Sequence, residues 1–287
     1  MASAVADGIE TRYEVVGSGP PLLMYAPGGF DATVEKWSTQ GVYATIKLLE
    51  HLPLHYTCVA FDRRETGASG GRVERIAWSD YARQGKALLE HLGVERAHVI
   101  GGCMGVSCAI AFGVAYPRAT LSLVLFWPVG GARYRMSSQL RFAEHLAFVQ
   151  RNDLDAVVRL VSDGGKSFGA DPRGGPWAAV IKRDPAFADA YARLPREAYI
   201  ATVTGMGRTL FDRDTAPGAE PEDLLALGVP ALVVPGRDAA HATSAARYLE
   251  ECLPRAQYWD VPVADQTEAT APARILDFLA SAGAGDG

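Results

Sequence analysis

The stretch Val99-Ile100-Gly101-Gly102-Cys103-Met104-Gly105 decides the fold, because an apolar strand, Arg96 to Ile100, runs into it and a small-residue helix, Val106 to Tyr116, runs out. A sharp strand-to-helix reversal crowds any side chain inside the bend and can demand a positive φ, which accounts for the glycines flanking Cys103. The cysteine then sits at a helix N-terminus. There the unpaired N–H groups and the helix dipole favour a thiolate, the nucleophilic form.

Working outward, Leu22 to Ala26, Thr57 to Phe61 and Leu121 to Trp127 are continuous apolar runs. Such runs mean burial on both faces, hence a parallel sheet covered by helices. Ile9 to Val16 alternates polar and apolar and meets Gly17-Ser18-Gly19-Pro20-Pro21, as a hairpin or edge strand does. Helices are expected from about Thr33 to His51 and from a Ser79-Asp80 cap to a stop at Gly93. From Pro128 to about Leu227 the alternation lapses into helical pieces, Arg141 to Val149, Leu154 to Val161 and Ala198 to Leu210, around the glycine-rich run Gly164 to Gly175. It resumes with a strand at Ala231 to Val234, a helix at Thr243 to Leu253, a strand at Gln257 to Val261 and a helix at Pro272 to Ala280, before a frayed tail from Ser281 to Gly287. The expectation is an α/β fold with a mostly parallel, doubly wound sheet: core residues 1–127 and 228–287, with a helical cap inserted at 128–227.

Apolar residues make up 48% of the chain and charged residues 21%, an ordinary balance for a globular protein with a large core. A net charge of −5 argues against nucleic acid, whose binders carry basic patches. No apolar run is long enough to span a membrane, and Met1 to Thr11 lacks the pattern of a signal peptide, so a cytoplasmic protein is expected. Cys58, Cys103, Cys108 and Cys252 are too scattered for a zinc site or a disulfide framework. Gly164-Gly165-Lys166-Ser167 lacks the earlier glycine and the leading strand of a phosphate loop. The expected partner is a small-molecule substrate, with no cofactor and no metal; the oligomeric state stays open, a homo-oligomer included.

This order of elements resembles the lidded α/β-hydrolase fold over nearly the whole chain. Gly101 to Gly105 has the spacing of its nucleophile elbow, with cysteine where serine is usual. Gly28-Gly29-Phe30 stands at the oxyanion loop, Asp62-Arg63-Arg64 at a characteristic turn, and Gly236-Arg237-Asp238 after the penultimate strand. The resemblance implies Cys103 as nucleophile, Asp238 as acid, and an oxyanion hole made by N–H groups of Met104 and of Gly29 or Phe30. Three departures stand out. Gly102 replaces a frequent histidine, Ala26-Pro27 replaces a common His-Gly pair, and the loop Pro262 to Glu268 contains no catalytic histidine. Alignment puts Asp265 at that position; a shift of one residue chooses Gln266.

A cysteine, with a free pKa of about 8.5 that a helix terminus lowers, needs a proton acceptor less than serine does. Releasing a thioacyl intermediate to water still calls for a base. Asp265 is one candidate, sharing a site with Asp238 so that like charges raise one pKa. His241 is another, reaching the pocket from Asp238's own loop or else serving only as a polar residue near a helix start. His145, among Phe142, Leu146 and Phe148, reads as a cap histidine. Trp127, Trp177, Phe168, Tyr134 and Phe211 are candidates for an apolar pocket, and Arg133, Arg135 and Arg173 for holding a carboxylate. The expected activity is cleavage of an ester, lactone, thioester or C–C bond through Cys103. The alternatives are a lyase, isomerase or cyclase needing no activated water, and a binding module in which Cys103 merely packs.

Overall fold

In the computed structural model, which describes residues 2–283, the apolar runs form one eight-stranded sheet. Its strands are β1 (Ala2–Ala6), β2 (Ile9–Val16), β3 (Pro21–Tyr25), β4 (Thr57–Phe61), β5 (Ala97–Gly102), β6 (Thr120–Phe126), β7 (Ala231–Val234) and β8 (Ala256–Tyr258), in the order β1-β2-β4-β3-β5-β6-β7-β8. From β4 through β8 every neighbouring pair is parallel, while β1–β2 and β2–β4 are antiparallel. Both faces are buried. Leu22, Met24, Ile100 and Val124 pack into one core, and Leu23, Tyr25, Val99 and Leu123 into the other.

The chain moves outward from β3 to β4, then returns to β5 on β3's other side and continues toward β8. The loops after β3 and β5 therefore open side by side at the carboxyl edge, the position where doubly wound sheets hold ligands. That topology brings Gly28-Gly29-Phe30 next to Cys103.

Four local expectations are revised. Ala2–Ala6 pairs with β2 through a turn at Asp7 and Gly8, with φ of 50° and 71°, so the N-terminus forms a hairpin. The helix expected over Thr33 to His51 is three short ones, Lys36–Thr39, Gly41–Ile46 and Leu48–His51, broken where Gly41 and Lys47 take φ of 47° and 51°. The helix predicted to begin at Ser79-Asp80 begins at Trp78; the Asp80 carboxylate accepts from the Ala77 N–H at 2.6 Å, so Asp80 caps from inside the first turn. The final helix is Ala271–Gly283, which makes 281–283 helical rather than frayed; the rest of the expected tail lies outside the described residues.

Between β6 and β7 there are no strands but a series of helices, the longest being Ala132–Arg151 and Arg196–Leu210. Among the described residues no helix is long and apolar enough to cross a membrane.

Candidate active site

The elbow is forced by contact. A Cβ on Gly101 would lie 2.2 Å from the Gly105 carbonyl oxygen, and one on Gly105 would lie 2.3 Å from that of Tyr25, so neither position admits a side chain. Cys103 itself takes φ of 54°, a strained left-handed conformation for a non-glycine residue, and precedes the helix Gly105–Ala115. Gly102, which stands where the fold often carries histidine, has the Tyr43 ring 2.8 Å from the place its Cβ would occupy. Tyr43 fills that space and donates to the Phe126 carbonyl at 3.1 Å.

After β7, the Asp238 carboxylate closes a tight turn: Oδ1 accepts from the N–H groups of Ala240 at 2.8 Å and His241 at 2.9 Å. The same carboxylate meets His241 Nδ1, with both oxygens at 2.9 Å. The imidazole is buried against Trp127, ring centroids 5.3 Å apart, and a Cβ on Gly236 would lie 2.6 Å from His241 Cβ. Its buried Nε2 meets no hydrogen-bond partner of regular geometry, while the Cys103 sulfur is near enough to raise the imidazole's titration.

The electrostatics follow from this packing. Burial pushes the Cys103 thiol up, but the hydrogen bond and charge of His241, with the N–H groups of Gly28 and Met104, outweigh it and leave the thiol below its ordinary value. Burial pulls His241 down, but the Cys103 sulfur and then Asp238 outweigh it and leave the imidazole above its ordinary value. Both shifts move the pair toward thiolate and imidazolium. Of the other cysteines, burial raises Cys58 to about 12 and also raises Cys108 and Cys252.

A model of the α/β hydrolase fold matches residues 21–142. A thermophilic esterase from Thermogutta terrifontis superposes with a TM-score of 0.64 over 98% of each chain, at 20% identity. The chain has the α/β-hydrolase fold. It is 31% identical over 164 residues to the dihydrolipoyllysine-residue acetyltransferase component of the acetoin cleaving system from Cupriavidus necator, covering 56% of this chain and 41% of that protein. It is 29% identical over 125 residues to a putative carbamate hydrolase, RutD, from Azorhizobium caulinodans, covering 44% of this chain and 43% of that one. The matches thus span less than half the length of these curated relatives.

Within this α/β-hydrolase fold, the loop expected to supply the base is occupied differently. Asp265 is exposed on the one-turn helix Val263–Asp265 and is not brought to Asp238; instead its neighbour Gln266 is buried. Gln266 Nε2 donates to the Pro235 carbonyl at 2.8 Å, and its Oε1 accepts from Trp127 Nε1 at 2.6 Å. It fixes the tryptophan that packs on His241.

The N–H groups of Gly28 and Met104 both approach the Cys103 sulfur. Beneath this loop lies Arg63, fully buried, whose Nη2 donates to the carbonyls of Gly28 and Gly29, both at 2.5 Å, and whose Nη1 donates to Cys108 Sγ at 3.3 Å. In a planar trans peptide the N–H points opposite the C=O, so this grip turns the N–H groups of Gly29 and Phe30 away from Arg63.

A cavity of about 520 Å³ opens at Cys103, with Phe30, Tyr134, Phe142, Phe168 and Phe211 among its lining residues. Trp127 and Trp177, expected in the pocket, do not line it: Trp127 backs His241, and Trp177 is fully buried, donating to the Arg72 carbonyl at 2.8 Å. The arginines expected to hold a carboxylate are also elsewhere. Arg133 is exposed, Arg135 pairs with Asp214 at 2.6 Å, and Arg173 pairs with Asp171 at 2.7 Å. His145 is buried away from Cys103, donating from Nδ1 to the Arg173 carbonyl at 3.0 Å and accepting at Nε2 from Tyr199 at 2.6 Å; burial pushes it down to about 4, so it is neutral. Among the described residues no group of three or more His, Cys, Asp or Glu is placed to hold a metal.

Proposed function

We propose that this chain is a cofactor-free hydrolase that cleaves a small carbonyl compound, an ester, thioester or lactone, through a Cys103–His241–Asp238 triad. The observation that carries this reading is the placement of His241, with Nδ1 held at 2.9 Å by Asp238, Nε2 buried without a partner, and the Cys103 sulfur near enough to raise the ring's titration. Similarity to a protein called an esterase and to one called a putative carbamate hydrolase supports the bond class.

In this mechanism the thiolate attacks the carbonyl carbon, and the developing oxyanion accepts hydrogen bonds from Met104 and the glycine loop. The His241 imidazolium protonates the leaving group, and a thioacyl enzyme forms. Neutral His241 then takes a proton from water, the hydroxide attacks the thioester, and the thiolate leaves. Asp238 holds the tautomer that presents Nε2 to the sulfur. A reading without water activation was attractive only while no base adjoined Cys103; His241 removes that motive.

Incubation with p-nitrophenyl acetate, quenched in acid, tests the reading by intact mass. An acetyl adduct on Cys103 that decays with turnover is expected, slowly decaying in His241→Gln. Turnover without an adduct, or turnover retained in Cys103→Ala, overturns it.

A further inference from the structure

One face of the helix Ala132–Arg151 forms a wall of the Cys103 cavity, and it carries Tyr134, Ser138 and Arg141 at successive turns. Ser138 is 2% exposed and its hydroxyl has no hydrogen-bond partner. A buried hydroxyl left without a partner in a cavity wall is costly unless a ligand supplies one. Arg141, one turn further along, belongs to no hydrogen bond or ion pair among the described residues, whereas many other arginines are tied to carboxylates, as Arg12, Arg64, Arg135 and Arg213 are. The other charged side chains lining the cavity are Asp31 and Lys36, and these neutralise one another at 3.0 Å. The wall therefore presents one uncompensated cation with an unsatisfied hydroxyl beside it.

The same cavity carries an apolar collar. Phe142 packs edge-on to Phe30 and Phe168 at centroid distances of 5.8 and 5.2 Å, and Tyr134 packs on Phe211 at 5.7 Å. Burial and the nearby Cys103 sulfur raise the Tyr134 hydroxyl, and Arg141 stands seven residues further along the same cavity-lining helix. From Tyr134 to Arg141 the helix rises about 10 Å.

From these placements we propose, resting on the hydrolase reading above, that the substrate is an acyl compound with a free carboxylate at the end remote from the scissile carbonyl, bound by Arg141 and the Ser138 hydroxyl, with an apolar chain between. A guanidinium and a hydroxyl together match a carboxylate in charge and in donor number. The phenyl collar excludes water from the chain and strengthens the ion pair at its end.

Calorimetry on the Cys103→Ala protein separates this inference from the catalytic one, because no covalent step intervenes. Suberic acid monoethyl ester, which carries one carboxylate, is compared with the neutral diethyl ester of the same length. The monoester is expected to bind about 10- to 100-fold more tightly, the range of a hydrogen bond to a charged group. That ratio should fall toward one when Arg141→Gln is added and fall in part with Ser138→Ala. The ratio should persist with Lys36→Gln. Equal binding of the two esters, or a preference that survives Arg141→Gln, or one that Lys36→Gln alone abolishes, overturns the proposal. Tight selective binding of the monoester by a protein whose wild type does not cleave it would uphold the subsite while refuting the covalent reading.

Discussion

His241 illustrates how a residue's meaning depends on its neighbours. Sequence order placed it three residues after Asp238, a spacing that suits an i to i+3 contact in a tight turn, yet nothing in the chain alone tells whether that turn faces the nucleophile. Three structural facts settle the orientation: the Asp238 side chain closes the turn on the N–H groups of Ala240 and His241, Gly236 leaves room for the imidazole, and Trp127 packs on it. Cys103, by contrast, was legible at once, because the two glycines that allow the elbow are themselves the signal. Asp265 looked plausible only because alignment by loop length cannot distinguish an exposed residue from its buried neighbour Gln266.

At this scale the account predicts a tautomer effect. Asp238→Asn should lower kcat for p-nitrophenyl acetate by on the order of 10²- to 10⁴-fold, since an amide neither fixes the Nδ1 proton as firmly nor stabilises the imidazolium. A loss below threefold in steady-state assays would remove Asp238 from the triad. The pH dependence has a definite sign. A lowered thiol keeps the thiolate to lower pH, and a raised imidazole keeps the proton to higher pH, so acylation should follow a bell whose acid limb belongs to Cys103 and whose alkaline limb belongs to His241.

Among the elements, two loops back the nucleophile: the one after β3 and the turn after β4. Their glycines and charges were readable, but their partnership was not, because β3 and β4 pair only after a crossover. Under the proposed mechanism, Arg63 acts as a positioning residue through the Gly28-Gly29 carbonyls it holds. Arg63→Met should lower kcat for the acetate ester by about 10- to 100-fold with a small change in KM, as loss of an oxyanion donor does. Arg63→Lys should recover part of that loss. A Met variant whose KM rises while kcat stands, or a Lys variant no better than Met, would contradict the role. Helix boundaries between β3 and β4 failed for a related reason: Gly41 and Lys47 enter left-handed conformations that only the packing of Trp37, Tyr43 and Leu48 against the sheet imposes.

Across the whole molecule, alternating apolar runs gave away the sheet and its two covered faces, while the helical segment between β6 and β7 was legible only as a lapse in that alternation. Its seating depends on polar contacts that no periodicity encodes: Arg183 donates to the Ser69 carbonyl at 2.9 Å and Trp177 to that of Arg72 at 2.8 Å. The turn receiving them is held by Glu65, fully buried with φ of 65° and paired through both oxygens with Arg64 Nε at 3.0 Å. Glycine at that position would relieve about 1–2 kcal/mol of backbone strain. It would also break a buried pair, which costs about 3–5 kcal/mol. Because Arg64 keeps Glu74, the pair loss lies at the lower end of that range, and Glu65→Gly should destabilise the protein by about 2 kcal/mol in urea at pH 8. At that pH the Glu65 carboxyl, pushed up by burial to about 7 against the pull of Arg64, is ionised. A variant more stable than the wild type would show that strain dominates.

The most direct test of the triad is the rate of Cys103 alkylation by iodoacetamide between pH 4 and 9, followed by peptide mass for the wild type and His241→Gln. Cys58, Cys108 and Cys252, all raised, should contribute little below neutrality. The account predicts a wild-type midpoint well below the free-thiol value of about 8.5, moving up by a unit or more when His241 is replaced. Coincident profiles for the two proteins, both centred near the free-thiol value, would contradict it.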